Sequence, residues 1–448
     1  MYLRELHIQN LKLLRDLRLS FTRDGAPRLW TVIVGENGLC KTSILRAIGL
    51  AAAGVDGANQ LAGDTTPLRD RRQRRAEVGI EAHFEFSDEY ADARTYPGVV
   101  RRRNLKMPSG ISSWLHLGHG WRVFKGGSSY QAKRDSKEAN LGHGANPDPL
   151  AEARGRGLGF WFVAGYGVNR NLPVPMATQR GGDMIRSRLE TLFDSGTTPI
   201  GTGFADIFAN EPKKATAYAK ALKATLLAHA ELLPRISGLE LRGIKGKTTA
   251  TAIVERHKFR FDIGGKPLAL PAIWLSQGYQ STIAWLADLV GQIMWEAEQP
   301  VPPAEMEGLV LVDELDLHLH PVWQQGLIMS LKHTFPRLQF VATTHSPLLL
   351  SGLEDDEIIR VTQDANGDVA VMDTGENTPL LMTGSELYNT YFGVERTHYE
   401  ALLQEYALLA GDPRRSLADE RRRKALLQQL EDAGIKPDWP VTPRKSRR

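Results

Sequence analysis

The chain has 448 residues, of which 42% are hydrophobic and 24% charged, and its net charge is +4. That is globular composition, enough for about three domains or one large α/β domain with insertions, and it excludes a disordered or fibrous chain. The single cysteine, Cys40, excludes an intramolecular disulfide or a cysteine-based zinc site and suits a reducing cytosol, while the small positive excess permits a polyanionic partner without requiring one.

In chain order, Leu6, Ile8, Leu17, Leu19 and Phe21 alternate with polar residues and predict strands. Arg4 and Glu5 carry charge where a secretory signal needs an apolar stretch. Residues 30–34 are a β-branched run that reads as a buried strand, and a helix follows over 42–53. An arginine-rich stretch at 69–75 precedes a strand at 78–86. The arginines at 101–103, residues 125–137 and the Gly/Asn/Pro-rich segment 139–157 read as strands joined by long loops. A core strand at 160–164 leads into Gly165-Tyr166-Gly167. Residues 183–235 are mostly helical, and the Ala/Lys/Leu-rich stretch 213–233 ends at Pro234. Strands at 249–254 and 259–263 follow, and Gly264-Gly265 turns the second into residues 267–270. A helix starts after Ser276. Its apolar stretch carries Asp288 and falls short of the ~20 residues of a membrane span, so it reads as buried. Core strands at 309–312 and 339–343 flank a helix at 322–334, and the C-terminal stretch is helical and charged.

Gly35-Glu36-Asn37-Gly38-Leu39-Cys40-Lys41-Thr42, with Ser43 after it, follows a strand and opens a helix. This is the pattern of a phosphate-binding loop, in which backbone N–H groups and a helix N-terminus face the phosphates. Lys41 supplies a point charge to the β- and γ-phosphates, and the Thr42 hydroxyl is a Mg²⁺ ligand. Cys40 stands where that pattern has glycine. Four apolar residues then deliver Asp313 and Glu314 at a strand end. Asp313 is the second candidate for Mg²⁺, and Glu314 is the candidate general base. The strand at 339–343 ends near His345, whose imidazole suits the γ-phosphate or the attacking water. Ser276 and Gly278 precede a helix. Their plain reading is a helix cap, and the functional one is a further anion site.

These four elements, in this order, resemble the head of ABC/SMC/RecF-type ATPases. Residues 35–42 are similar to Walker A, 275–279 to the ABC signature, 309–314 to Walker B and His345 to the switch histidine. The run Asp313-Glu-Leu-Asp-Leu-His-Leu-His-Pro321 and the turn Tyr166-Gly167…Arg170 are similar to the AAA-21/AAA-15 group of prokaryotic ATPases. His320 stands where many relatives have the D-loop aspartate, and Gln277 and Tyr279 depart from the signature. The span from Lys41 to Ser276 is too long for a transporter subunit. No heptad run supports the long arms of a repair ATPase, and no Toprim pattern follows His345. The resemblance therefore narrows to the PtuA-type ATPase subunits of Septu and retron-associated anti-phage systems, with the ATPase of the PARIS system as an alternative.

The resemblance implies an α/β fold: an ABC-type P-loop head with a mixed sheet and flanking helices, a helical insertion and a charged helical C-terminal region. The expected parts are 1–180, with a strand-rich insertion at about 55–158; 181–248, a helical insertion; 249–360, the rest of the head; and 361–448, a partner-docking region. The implied function is an ATPase using ATP and Mg²⁺ that pairs head to tail, with Ser276 and Gly278 acting in trans, and regulates a separate HNH or Toprim nuclease in the cytoplasm. A nucleotide-gated scaffold with little hydrolysis and a RecF-like repair ATPase are the alternatives. The arginine clusters are candidates for nucleic acid. Leu426, Leu427 and Leu430 offer an apolar edge to a partner. His116, His119 and His143 lack the cysteine or acidic companions of a metal site.

Overall fold

The computed structural model describes residues 1–73, 75–86, 110–131, 162–172, 184–241, 257–296, 301–375, 377–393, 398–437 and 441. The predicted strand at 249–254, the arginines at 101–103, Arg74, His143 and the segment 139–157 lie outside them. The chain divides into a unit of residues 1–381 and a second of 382–448.

The first unit opens with β1 (Tyr2–Leu11), β2 (Leu14–Ser20), the short pair β3 (Thr22–Arg23) and β4 (Ala26–Pro27), and β5 (Trp30–Val34). Helix α1 (Lys41–Ala62) follows, then β6 (Val78–Glu85), β7 (Gly110–Leu117), β8 (Lys125–Gln131) and β9 (Val163–Tyr166). Helices α2 (Met184–Phe193), α3 (Phe204–Ile207) and α4 (Pro212–Leu226) lead to β10 (Ile236–Leu241), β11 (His257–Ile263) and β12 (Lys266–Pro271). Then come α5 (Gln277–Glu296), β13 (Gly308–Val312), α6 (Pro321–Thr334), β14 (Leu338–Thr343), the single turn α7 (Pro347–Leu350), β15 (Ile358–Gln363) and β16 (Val369–Met372).

One sheet runs β16-β15-β5-β14-β13-β9 and is parallel except at β16. Every residue of β5, β13 and β14 is buried, which is why those strands read as largely apolar runs rather than alternations. Parallel pairing brings the ends of β5, β9, β13 and β14 to one edge, where ligands bind in open α/β sheets. The second sheet, β2-β1-β6-β7-β8, is antiparallel. Its alternating Leu6, Ile8 and Ile80 face the core, as the period-two pattern predicted. Helix α1 packs against both sheets, and the buried Gln339 joins them through Leu3 N–H at 2.6 Å and Leu3 O at 2.9 Å.

Several boundaries differ from the sequence expectation. Helix α1 continues to Ala62 past a break at Gly54, where φ is 68°, because its far half is also buried. Helix α4 ends at Leu226 rather than 233. The expected part boundary at 360 falls inside β15, because that strand completes the parallel sheet beside β5. The hairpin at Gly264-Gly265 forms with φ of 60° and 81°, pairing Ile263 with Lys266.

The second unit holds α8 (Gly384–Phe392), α9 (His398–Gly411) and α10 (Leu417–Asp432). Leu426 and Leu430 pack with Leu402, Tyr406 and Ala410 and are fully buried, with Leu427 partly buried beside them. The apolar edge read as a partner surface is therefore used within the unit, between α10 and α9. Among the described residues, no helix is long and apolar enough to cross a membrane.

Candidate functional site

The loop after β5 is shaped by backbone conformation. Gly35 has φ 152°, and a Cβ there would lie 2.5 Å from Val361 O, so β15 leaves no room for a side chain. Gly38 has φ 87°. Cys40 caps α1 in the left-handed region, at φ 59° and ψ 19°, without a side-chain cap hydrogen bond. A non-glycine residue is strained there by about 1–2 kcal/mol. Cys40 thus adopts the backbone that glycine would take without strain.

Lys41 is buried and reaches back across the loop. Its Nζ donates to Gly35 O at 2.7 Å and Glu36 O at 2.8 Å. Desolvation lowers its pKa, opposed by Asp313, Glu314 and Asp316. Glu36 and Asn37 are exposed at the loop's crest. Ser43 is buried, and its hydroxyl accepts from Lys12 Nζ at 2.9 Å. Lys12, on the β1–β2 turn, was not singled out in the sequence; only the sheet pairing brings it beside α1.

Beyond β13, the Thr42 hydroxyl donates to Asp313 at 2.8 Å and 3.0 Å to the two carboxylate oxygens. Thr343 Oγ1 donates to Asp313 Oδ1 at 2.6 Å and accepts from Glu314 N–H at 2.8 Å. Glu314 takes φ 48°, so three of the seven positive-φ non-glycine residues described, Cys40, Glu314 and His318, lie on the loop, the acidic pair and the segment after it. Asp316 accepts from Thr344 Oγ1 at 2.6 Å and from His345 N–H at 3.2 Å, fixing the histidine backbone beside the acidic strand. His345 itself is half-buried.

Arg170, just after β9, is 2% exposed. It donates to the carbonyls of Gly167 at 2.9 Å, Asp313 at 2.5 Å and Glu314 at 2.7 Å. Burial pushes its pKa down to about 10, against the attraction of Asp313, Asp316 and Glu314, so it stays charged at neutral pH.

Ser276 and Gln277 are exposed at the start of α5, beside Ile273 and Trp274, which are 41% and 64% exposed. Gly278 is buried; a Cβ there would lie 2.6 Å from His318 O, so the helix approaches the segment after Glu314 closely. The Tyr279 hydroxyl donates to Pro234 O at 2.6 Å. His320 caps α6, its Nδ1 accepting from Val322 N–H at 3.3 Å.

Asp288 on α5 is buried. It accepts from the Tyr166 hydroxyl at 3.0 Å and from the N–H groups of Ile200 at 2.7 Å and Gly201 at 3.1 Å. Desolvation raises its pKa, against those hydrogen bonds.

Among the described residues no three His, Cys, Asp or Glu gather to hold a metal. A Mg²⁺ ion needs fewer protein ligands, because waters and phosphate oxygens complete its shell. The Thr42 hydroxyl and Asp313 carboxylate, already in contact, are the oxygen donors such a shell uses.

The arginine stretch is partly structural. Arg72 bridges Asp70 at 2.9 Å and Asp368 at 2.5 Å, and Arg69 donates to Gly118 O at 2.7 Å and Trp121 O at 3.0 Å. Arg71 and Arg75 remain exposed. His116 sits on β7 and, against the sequence expectation, has an acidic companion in Glu77 at 3.1 Å, brought to it by the strand pairing.

Residues 182–351 match the AAA_21 family, "AAA domain, putative AbiEii toxin, Type IV TA system". The chain is 24% identical to the Septu protein PtuA of Bacillus mycoides over 436 residues, 96% of this chain and 50% of that protein. It is 33% identical to the Retron Ec83 probable ATPase of Escherichia coli over 165 residues, 36% of this chain and 30% of that protein. The chain thus spans half or less of the length of these two relatives. The SMC head domain from Thermotoga maritima aligns at TM-score 0.42 and 16% identity, covering 83% of this chain and 98% of that one.

Proposed function

We propose that this chain, an ABC/SMC-like ATPase of the AAA-21 group resembling PtuA, binds and hydrolyses ATP at the edge formed by β5, β13 and β14. The observation that carries the reading is the Thr42–Asp313 contact, which joins the phosphate-binding loop to the acidic strand end. In it, backbone N–H groups from Gly35 to Cys40 and the start of α1 receive the phosphates. Lys41 exchanges its carbonyl partners for phosphate oxygens. Thr42 and Asp313 would hold Mg²⁺, which would supply positive charge to the phosphates. Glu314 takes a proton from the attacking water, and His345 hydrogen-bonds the γ-phosphate.

Ser276 is exposed at the start of α5, and Gly278 lies against the segment after Glu314. They would complete the site of a second copy, pairing head to tail. Exposed Ile273 and Trp274 beside them suit such an interface. The names of the relatives support a place in Septu or retron systems, where the chain would sense a trigger and regulate a separate effector nuclease, of HNH or Toprim type, in the cytoplasm. Contact with nucleic acid would fall to Arg71 and Arg75, two exposed arginines of the described stretch.

The test is ATP turnover by wild type and Glu314→Gln. Loss of a general base lowers kcat by about 10²–10⁴-fold while ATP binding persists. Turnover that survives the substitution removes Glu314 from the role. ATP bound without turnover in the wild type favours a nucleotide-gated scaffold.

A further inference from the structure

We infer that Arg170 is the positioning residue that aims Glu314, and that it ties the acidic pair to the helix carrying the signature. The inference rests on the ATPase reading above.

The geometry is specific to Glu314. Asp313 O and Glu314 O are the carbonyls on either side of the Glu314 Cα. One guanidinium fork holds both, at 2.5 Å and 2.7 Å. On the opposite side, Thr343 receives Glu314 N–H through Oγ1 at 2.8 Å and Leu315 N–H through its carbonyl at 2.8 Å. Both peptide planes flanking Glu314 are therefore fixed. With them φ, ψ and the direction of the Cα–Cβ bond are fixed, and so is the origin of the carboxylate.

This clamp answers a strain. Glu314 has φ 48°, a conformation that a non-glycine residue keeps only when its surroundings impose it. Placing a guanidinium at 2% exposure is itself costly. The nearby carboxylates offset part of that cost, but its three close hydrogen bonds go to carbonyls rather than to a carboxylate. Lysine cannot reproduce the grip, because an ammonium is a point donor and the two carbonyls need a planar fork.

The same segment touches α5. Arg170 Nε donates to Ser281 Oγ at 3.4 Å, and Asn171 Oδ1 accepts from Gln277 Nε2. Gln277 lies between Ser276 and Gly278. A shift at the start of α5, when its signature engages a nucleotide on a second copy, reaches Glu314 through Arg170 within one protomer.

The experiment compares wild type, Arg170→Gln and Arg170→Lys in three readouts: ATP affinity, steady-state turnover and amide hydrogen exchange. Both variants are expected to bind ATP within about twofold of wild type. Arg170→Gln should lose about a hundredfold in kcat at unchanged KM, the scale of a misplaced catalytic group. Arg170→Lys should recover part of it. Exchange should rise at residues 313–317 and stay unchanged in β14. Should Arg170→Gln fail to fold, Arg170→Lys carries the test, since it keeps the buried charge. Turnover within twofold of wild type with unchanged exchange overturns the inference. So does a loss of ATP binding in step with turnover, which would make Arg170 merely structural. If wild type binds ATP but does not turn over, the ATPase reading fails by itself. Exchange at 313–317 in Arg170→Lys then decides the clamp: a rise upholds it, and no change overturns it.

Discussion

At the scale of single residues, the site concentrates backbone strain where chemistry is proposed. Cys40 is the sharpest case, because it takes a glycine conformation with a side chain attached. Cys40→Gly relieves about 1–2 kcal/mol of strain but adds up to ~1 kcal/mol of unfolded-state entropy. Thermal melting should therefore change little, and nucleotide affinity should hold or improve. Cys40→Val places a β-branched residue in the same conformation and should lower stability by at least ~1–2 kcal/mol. A valine variant as stable as wild type would mean the loop takes another conformation. Thr343 makes a second residue-scale prediction. Thr343→Val strands Glu314 N–H and removes a donor from Asp313, which should cost about 1–3 kcal/mol in chemical denaturation and loosen Mg²⁺-dependent nucleotide binding. Thr343 carried no signal in the sequence beyond its place at a strand end.

At the scale of elements, α5 is held by a buried carboxyl. Asp288 takes hydrogen bonds from Tyr166 and the turn at Ile200 and Gly201, linking helix, sheet and the helical insertion. Its folded pKa is raised above the ordinary carboxylate range, chiefly by desolvation. A raised carboxyl pKa means the folded state holds the proton more tightly than the unfolded one. Its contribution is full below the unfolded pKa and is lost as pH rises through the folded value. Asp288→Asn should therefore flatten the pH dependence of stability over that window, read from denaturation midpoints. An unchanged slope would assign the dependence to other groups. The start of the same helix is constrained differently. Gly278→Ala meets His318 O at 2.6 Å, a backbone atom that cannot rotate away, and should move the segment after Glu314. The measurable result is a loss of turnover with the helix content of the circular dichroism spectrum intact. In the second unit, Leu426→Ala opens a cavity between α9 and α10 and should cost about 2–5 kcal/mol in that unit.

At the scale of the whole molecule, the exposed signature and its apolar neighbours lead to a concentration-dependent prediction. Glu314→Gln with ATP should form dimers by light scattering, and adding Trp274→Asp should return them to monomers with ATP still bound. A strictly monomeric Glu314→Gln protein would remove the head-to-tail site. Much of this protein was legible from local pattern. The largely apolar runs of β5, β13 and β14 mark buried strands, and the loop Gly35–Thr42, the acidic pair and His345 follow them directly. Those features depend on neighbours a few residues away, so the chain order displays them. The left-handed backbone of Glu314, the grip of Arg170 on it and the approach of Lys12 to Ser43 depend on strands brought together across the sheets. So do the use of Arg69 and Arg72 as struts and the burial of Leu426 and Leu430 against α9. By itself the sequence determined the elements that carry the candidate site, their order and the residue types at the strand ends. Tertiary structure alone decided which of those residues touch. Hydrogen bonds and close packing act over a few ångströms, and sheet pairing sets such distances between segments hundreds of residues apart.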